Sequence, residues 1–216
     1  MPDLDFRVES ASITPWTIAP QMAFRLRVAN APADEVIHSV VLHCQIRLEV
    51  TRRQYTAEEE ARLHDLFGEP ERWGRTLRPM LWTLATIVVP RFSGETTLDL
   101  PVPCSYDFNV AATKFFYGLT DGEVPLDFLF SGNVFYEDQA GALQVSPISW
   151  SKEARYRLPV KVWQDLMEIH YPNVAWFQLR RDVFDRLYRY KVEHGIPTWE
   201  EALERILPPV SEEARV

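Results

Sequence analysis

Apolar residues recur at every second position through several stretches of this chain, the period of a strand with one dry and one wet face. In "QMAFRLRVAN", Met22, Phe24, Leu26 and Val28 alternate with Ala23, Arg25 and Arg27. "VIHSVVLHCQIRLEV" does the same over a longer run, with Val36, Val40, Leu42, Cys44, Ile46, Leu48 and Val50 on one face and Ser39, His43, Gln45, Arg47 and Glu49 on the other. Ahead of these, Phe6 and Val8 stand in one phase and Ala11 and Ile13 in the opposite one, which predicts a bulge near Ser10. Met80 to Val89 is apolar in both phases, as in a strand covered on both sides or a β-rich segment beneath an inserted helix. Thr96, Leu98, Leu100 and Val102 then share a face, and Pro101 with Pro103 suggests an edge or the end of the strand.

Two other periods interrupt the alternation. Thr56 with Glu59 three residues later is a capping box, followed by Leu63, Leu66 and Phe67 and stopped by Gly68 and Pro70, so a short helix is inserted near 56–68. Asp121–Gly122 between "AATKFFYGL" and "VPLDFLFSGNVFY" predicts a hairpin of two strands. In its second strand Leu126, Phe128, Phe130, Val134 and Tyr136 form the interior set, while Phe115, Tyr117, Leu129 and Phe135 are expected on an outer, stickier face. After a last strand near "ARYRL" the period becomes helical. Trp163, Leu166, Met167 and His170 form one stripe; Trp176, Leu179, Val183, Phe184 and Leu187 form a second, with Asn173 as its cap. Trp199, Leu203 and Ile206 form a third behind a Thr198/Glu201 capping box.

Strands followed by helices give an α+β class: an antiparallel, immunoglobulin-like β-sandwich over residues 1–158, then about three helices over 159–216 that pack on it or form a docking arm. With 216 residues and 46% apolar composition the chain is long enough for one sizeable core. The net charge of −8 argues against a nucleic-acid partner, whose phosphates require a basic face. The charge is uneven: residues 155–191 hold eight Arg or Lys against four Asp or Glu, and 193–216 hold two against six. No run of eighteen apolar residues and no secretory layout at the start point to a membrane, and two cysteines are too few for a disulfide framework; a reduced, cytoplasmic protein is expected.

Chemistry is sparse. His43 and Cys44 are strand neighbours facing opposite ways, and no CxxC, HxxxH or HExxH occurs, so no metal site is expected. GxSxG, GxGxxG and GxxxxGK[ST] are absent as well, which leaves no catalytic and no cofactor-binding residue to name. What stands out instead is Trp, Tyr and Arg near the C-terminus, the residues that dominate interface hot spots. Trp163, Trp176, Arg180, Arg186, Tyr188, Arg189 and Trp199 are the candidate partner-binding residues.

"VPCSYDFNVAATKFFYGLTDGEVPLDFLFSGNVFY" and "MEIHYPNVAWFQLRRDVFDRLYRYK" resemble an uncharacterised actinobacterial-type family of hypothetical proteins, over nearly the whole chain. The resemblance associates the chain with genes for [NiFe] uptake hydrogenases and implies an accessory or assembly role; it transfers no functional residue. Three functions remain open. The first is a non-catalytic binding or assembly protein with a protein partner, hydrogenase-related or a second copy of itself. The second is an enzyme or small-molecule binder with a pocket between sheet and helices, lined by Phe116, Tyr117, Trp163 and His170. The third is a chaperone-like binder of apolar polypeptide through Phe115, Leu129 and Phe135.

Overall fold

The alternating stretches become two antiparallel sheets in the computed structural model, which describes residues 2–138 and 140–208. The chain divides into two units, Met1–Val174 and Ala175–Val216. In the first, β1 (Asp3–Ile13), β2 (Gln21–Ala31) and β6 (Glu95–Pro103) form a three-stranded sheet in the order β1-β2-β6. A larger sheet runs β4 (Met80–Val89), β3 (Val36–Leu48), β7 (Glu123–Glu137), β8 (Leu143–Pro147). The two-residue β5 (Phe92–Ser93) adds to β3, and β9 (Glu153–Pro159) adds to β7. The bulge expected near Ser10 is present: the β1–β2 register shifts between Val8 and Ser10.

The inner rows of the two sheets meet. Phe6 on β1 stacks on Phe130 of β7 with ring centroids 4.3 Å apart, and Phe24 on β2 stands edge-on to Phe128 at 5.0 Å. Each such ring withdraws about 150–250 Å² from water, worth about 4 kcal/mol or more at 25 cal/mol/Å². Leu126, Phe128, Phe130 and Val134 are buried as their phase requires, and Tyr136 is half-buried. Gly132 is the one position of β7 that no other residue fits. Its φ is +133°, and a Cβ there would lie 1.9 Å from the Val41 carbonyl oxygen.

Helices close the ends of this unit. The capping box forms as expected at the start of α1 (Ala57–Phe67): Glu59 N donates to Thr56 Oγ1 and Thr56 N to Glu59 Oε2. The brief α2 (Trp73–Thr76) follows. The first strand of the expected hairpin is instead a helix, α3 (Val110–Gly118), started by Asn109, whose side chain accepts from Ala112 N. Buried Ala112, Phe115 and Phe116, with Leu119 just past the helix end, fall at i, i+3, i+4 and i+7. Phe115 is therefore core, fully buried, and not on an outer face. Asp121–Gly122 still makes a bend, with Gly122 at φ +84°, but it joins a helix to a strand.

The C-terminal boundary also differs from 158/159. α4 (Val160–His170) belongs with the sheets, and buries Val160, Trp163, Leu166 and Met167. Asn173 does not cap the next helix; at φ 55° it belongs to a turn in which Val174 N donates back to Tyr171 O. In the second unit residues 175–180 carry no helix, and α5 (Arg181–Glu193) starts only after them. Gly195 at φ +61° turns the chain into α6 (Trp199–Ile206), which Thr198 caps by accepting from Glu201 N. The reciprocal arm of that box is not made, because the Glu201 carboxylate is paired with Arg205 at 2.6 Å. No helix among the described residues is long and apolar enough to cross a membrane.

Candidate functional site

Six of the seven candidate partner-binding residues lie in the second unit, and one does not. Trp163 sits on α4, 5% exposed, its ring stacked on Phe116 at 5.3 Å and 13°. Its place in a helical stripe facing the sheets makes it core, so it has no ring to offer a partner. Trp176, Arg180, Arg186, Tyr188 and Arg189 are exposed and Trp199 is half-buried. Tyr188 and Trp199 come together, 6.1 Å between centroids, with Phe184 5.4 Å from Trp199 and Lys191 Nζ 5.5 Å from the same ring. Arg180 is held by Asp182 at 2.9 Å, and Arg189 Nε donates to Asp185 O at 3.4 Å.

Within this unit an apolar groove of about 460 Å³ runs between the residues before α5 and the two helices, lined by Phe177, Leu179, Phe184, Leu187, Trp199 and Leu203. Phe177, Phe184 and Tyr188 are 59%, 45% and 52% exposed. Only Ile196 and Ala202 are buried among the described residues of the unit. Helices of 13 and 8 residues are too short to bury each other's stripes, and a segment this small has little core of its own. Leu187 and Leu203 were legible as stripe residues; Phe177 was not, because it lies in the non-helical lead-in.

A second cluster escaped the sequence reading altogether. Glu49, just past β3, and Asp127, inside β7, are 2% and 3% exposed. Three arginines surround them. Arg52 Nη1 donates to both Asp127 oxygens at 3.0 and 3.2 Å, Arg47 Nη2 lies 3.3 Å from Glu49 Oε1, and Arg155 Nε lies 3.7 Å from Asp127 Oδ1. Burial, and then the neighbouring Asp127, push the Glu49 carboxyl above its ordinary range. The signal in the sequence was an aspartate between Leu126 and Phe128, which strand alternation assigned to a wet face. That face is instead roofed by arginine side chains from β3, β9 and the turn after β3.

Beside it lies an open polar cleft of about 640 Å³ whose lining includes Arg52, Arg53, Glu59, Thr120, Glu123 and Arg157. Its cations are already engaged: Arg52 by Asp127, Arg53 by Glu59 at 2.6 Å, and Arg157 near Glu123 at 3.9 Å. Glu59 also accepts from Thr120 N at 3.0 Å and Thr56 N at 3.1 Å. Burial raises its pKa, but these donors together with Arg53 outweigh that and hold it below the ordinary range. Such a network ties α1 to the 118–123 bend.

The other expected chemistry does not assemble. The space between Phe116 and Trp163 is filled, leaving about 10 Å³ beside Trp82, Cys104 and Asn109, too little for an ordinary ligand. Tyr117 points to solvent at 63% exposure, and the His170 ring is hydrogen-bonded to Leu166 O at 3.1 Å. Burial pushes the thiols of Cys44 and Cys104 up to about 12, far from a nucleophilic thiolate. Among the described residues no group of three or more His, Cys, Asp or Glu is placed to hold a metal ion.

The molecule is thus a mixed α+β protein of two antiparallel sheets with several helices and a separate helical unit at the C-terminus. The chain belongs to the family of unknown function DUF6084, which matches residues 1–215. A search of curated protein sequences finds no match. Three solved structures are distantly similar. One is the solution structure of a protein assigned as late embryogenesis abundant, at 15% identity and TM-score 0.32, covering 74% of this chain and 72% of that one. Another is a protein assigned as ApaA from Bordetella pertussis, at 13% identity and TM-score 0.24, covering 73% and 93%. The third is β-glucosidase 3B from Thermotoga neapolitana, at 7% identity and TM-score 0.24, covering 72% of this chain but 17% of that enzyme.

Proposed function

We propose that this is a non-catalytic binding or assembly protein whose two-sheet unit, immunoglobulin-like in kind, serves as scaffold and whose C-terminal helical unit takes an apolar segment of a protein partner. One observation carries the reading: a groove of about 460 Å³ lined by six apolar side chains with Arg181 and Glu200, in a unit where only Ile196 and Ala202 are buried among the described residues. A partner's amphipathic helix is the natural occupant of a groove between two short helices, with Trp199, Tyr188 and Phe184 as the aromatic anchors. Arg181 and Glu200 also line the groove and offer the partner one charge of each sign. The finer reading is an accessory role for a [NiFe] hydrogenase in the cytoplasm, and rests on the resemblance described above.

The test is affinity capture from the native host with the full chain and with Phe184→Asp/Leu203→Asp, followed by reconstitution of the captured partner from purified proteins. The expected result is a partner bound by the wild type and lost from the groove variant, with a hydrogenase subunit or maturation protein supporting the finer reading. Equal binding by both forms refutes the groove as the docking site.

A further inference from the structure

The two sheets have four edges, and three of them are protected against pairing. β1 carries Asp3, Asp5, Arg7 and Glu9 together with its bulge; β6 carries Glu95, Asp99, Pro101 and Pro103. At the far side of the larger sheet β8 is five residues long and β9 carries Glu153, Arg155 and Arg157. The fourth edge, β4, reads MLWTLATIVV, ten residues with no charge, no proline and no glycine. Its ladder is with β3 alone. Asn109 Nδ2 donates to Leu81 O and Trp82 O at 3.0 and 2.9 Å, closing the first turn of that edge. Beyond Trp82, the backbone of Thr83–Val89 pairs with no element but β3 among the described residues. On the outer face Leu84 and Val88 are 69% and 60% exposed on either side of Thr86.

We propose that β4 pairs antiparallel with β4 of a second copy about a twofold axis at Thr86, joining the two larger sheets into one. The strand's own pattern selects this partner, because it is symmetric about that residue. The axis sets Thr86 against Thr86, and Leu84 against Val88 of the second copy, twice; Ala85 meets Ile87 on the inner face. Threonine pairs and aliphatic pairs directly opposite each other are among the favourable cross-strand combinations. The flanking cations also fit: Arg78 and Arg91 lie eight and five residues from the axis, so neither faces its own kind across it. Isologous contacts of this sort close after two copies, so the edge is consumed and not propagated. This surface belongs to the first unit and is independent of the C-terminal groove.

Sedimentation equilibrium between about 1 and 100 μM tests it. The wild type is expected at twice its 25.2 kDa chain mass. Leu84→Lys/Val88→Lys sets lysine against lysine in both outer pairs and weakens the dimer about tenfold or more. Leu84→Lys/Val88→Glu sets lysine against glutamate in both pairs and restores dimerisation to within about threefold of the wild type. Within one strand the two positions are about 13 Å apart, so the variants differ little in their own folding, and thermal unfolding checks that. A wild type that stays monomeric to about 100 μM overturns the proposal. So does a dimer indifferent to the double lysine variant, which would place the contact elsewhere, and so does a lysine/glutamate variant as monomeric as the double lysine one.

Discussion

Replacing Glu59 by alanine removes the hub of the buried network between α1 and the 118–123 bend. The side chain is 1% exposed and accepts from Arg53 Nη2 at 2.6 Å, Thr120 N at 3.0 Å, Thr120 Oγ1 at 3.3 Å and Thr56 N at 3.1 Å. Its loss leaves the Arg53 guanidinium, 7% exposed, with backbone carbonyls but no counter-charge, and two backbone amides without acceptors. Breaking a buried ion pair from one side costs about 3–5 kcal/mol. For a chain of this size that lowers Tm by on the order of 10 °C. The neighbouring Glu58 is the control, since its pair with Arg62 is exposed at 62% and 48%, and Glu58→Ala should cost about 0.5 kcal/mol or less.

The pH dependence gives a second readout of the same site. Because Glu59 has its pKa lowered by folding, its contribution is present above the unfolded value near 4.5 and disappears as pH falls through the folded value. The gap between wild type and Glu59→Ala should therefore narrow in acid. Urea denaturation at several pH values measures both effects. The double change Arg53→Met/Glu59→Leu should recover most of the loss, because no unpaired charge remains. A Glu59→Ala cost no larger than that of Glu58→Ala, or one that does not shrink in acid, refutes the reasoning.

Glu49 should behave in the opposite sense: its raised pKa means that its contribution is present below about 4.5 and lost as pH rises through the folded value, so Glu49→Gln should match the wild type near pH 4 and be the more stable protein near pH 7 by chemical denaturation. Gly132→Ala should yield insoluble or grossly destabilised protein, by about 4 kcal/mol or more, because the new methyl meets backbone at 1.9 Å, and circular dichroism of the soluble fraction reads it. Trp163→Ala should cost about 3–5 kcal/mol in thermal unfolding, whereas Phe177→Ala, at an exposed ring lining the groove, should cost about 1 kcal/mol or less while weakening partner binding.

Strand alternation was legible wherever one face is dry, as on β2, β3 and β7, since burial and phase there have the same cause. β8 escaped notice because its exposed Leu143, Gln144 and Val145 carry no alternation, and its buried residue is Ser146. At α3 a strong Asp–Gly turn signal outweighed a helical spacing of Ala112, Phe115, Phe116 and Leu119 that was present in the residues all along. Trp163 and Trp176 look alike in composition; what separates them is that Trp163 lies on a helix that packs within the two-sheet unit, whereas Trp176 stands in the non-helical residues before α5, and no local pattern encodes that difference. The Glu49–Asp127 cluster was hidden for a related reason. Strand phase gives the face a side chain points to, not what long arginine side chains from neighbouring strands lay over it.

Hydrogen–deuterium exchange on the reconstituted complex with the captured partner bears most directly on recognition by the helical unit. The amides of α5 and α6 and of residues 175–180 should gain protection, with the cleft around 52–59 and 120–125 unchanged. Protection appearing at that cleft instead, with the two C-terminal helices exchanging as in the free protein, would contradict the account.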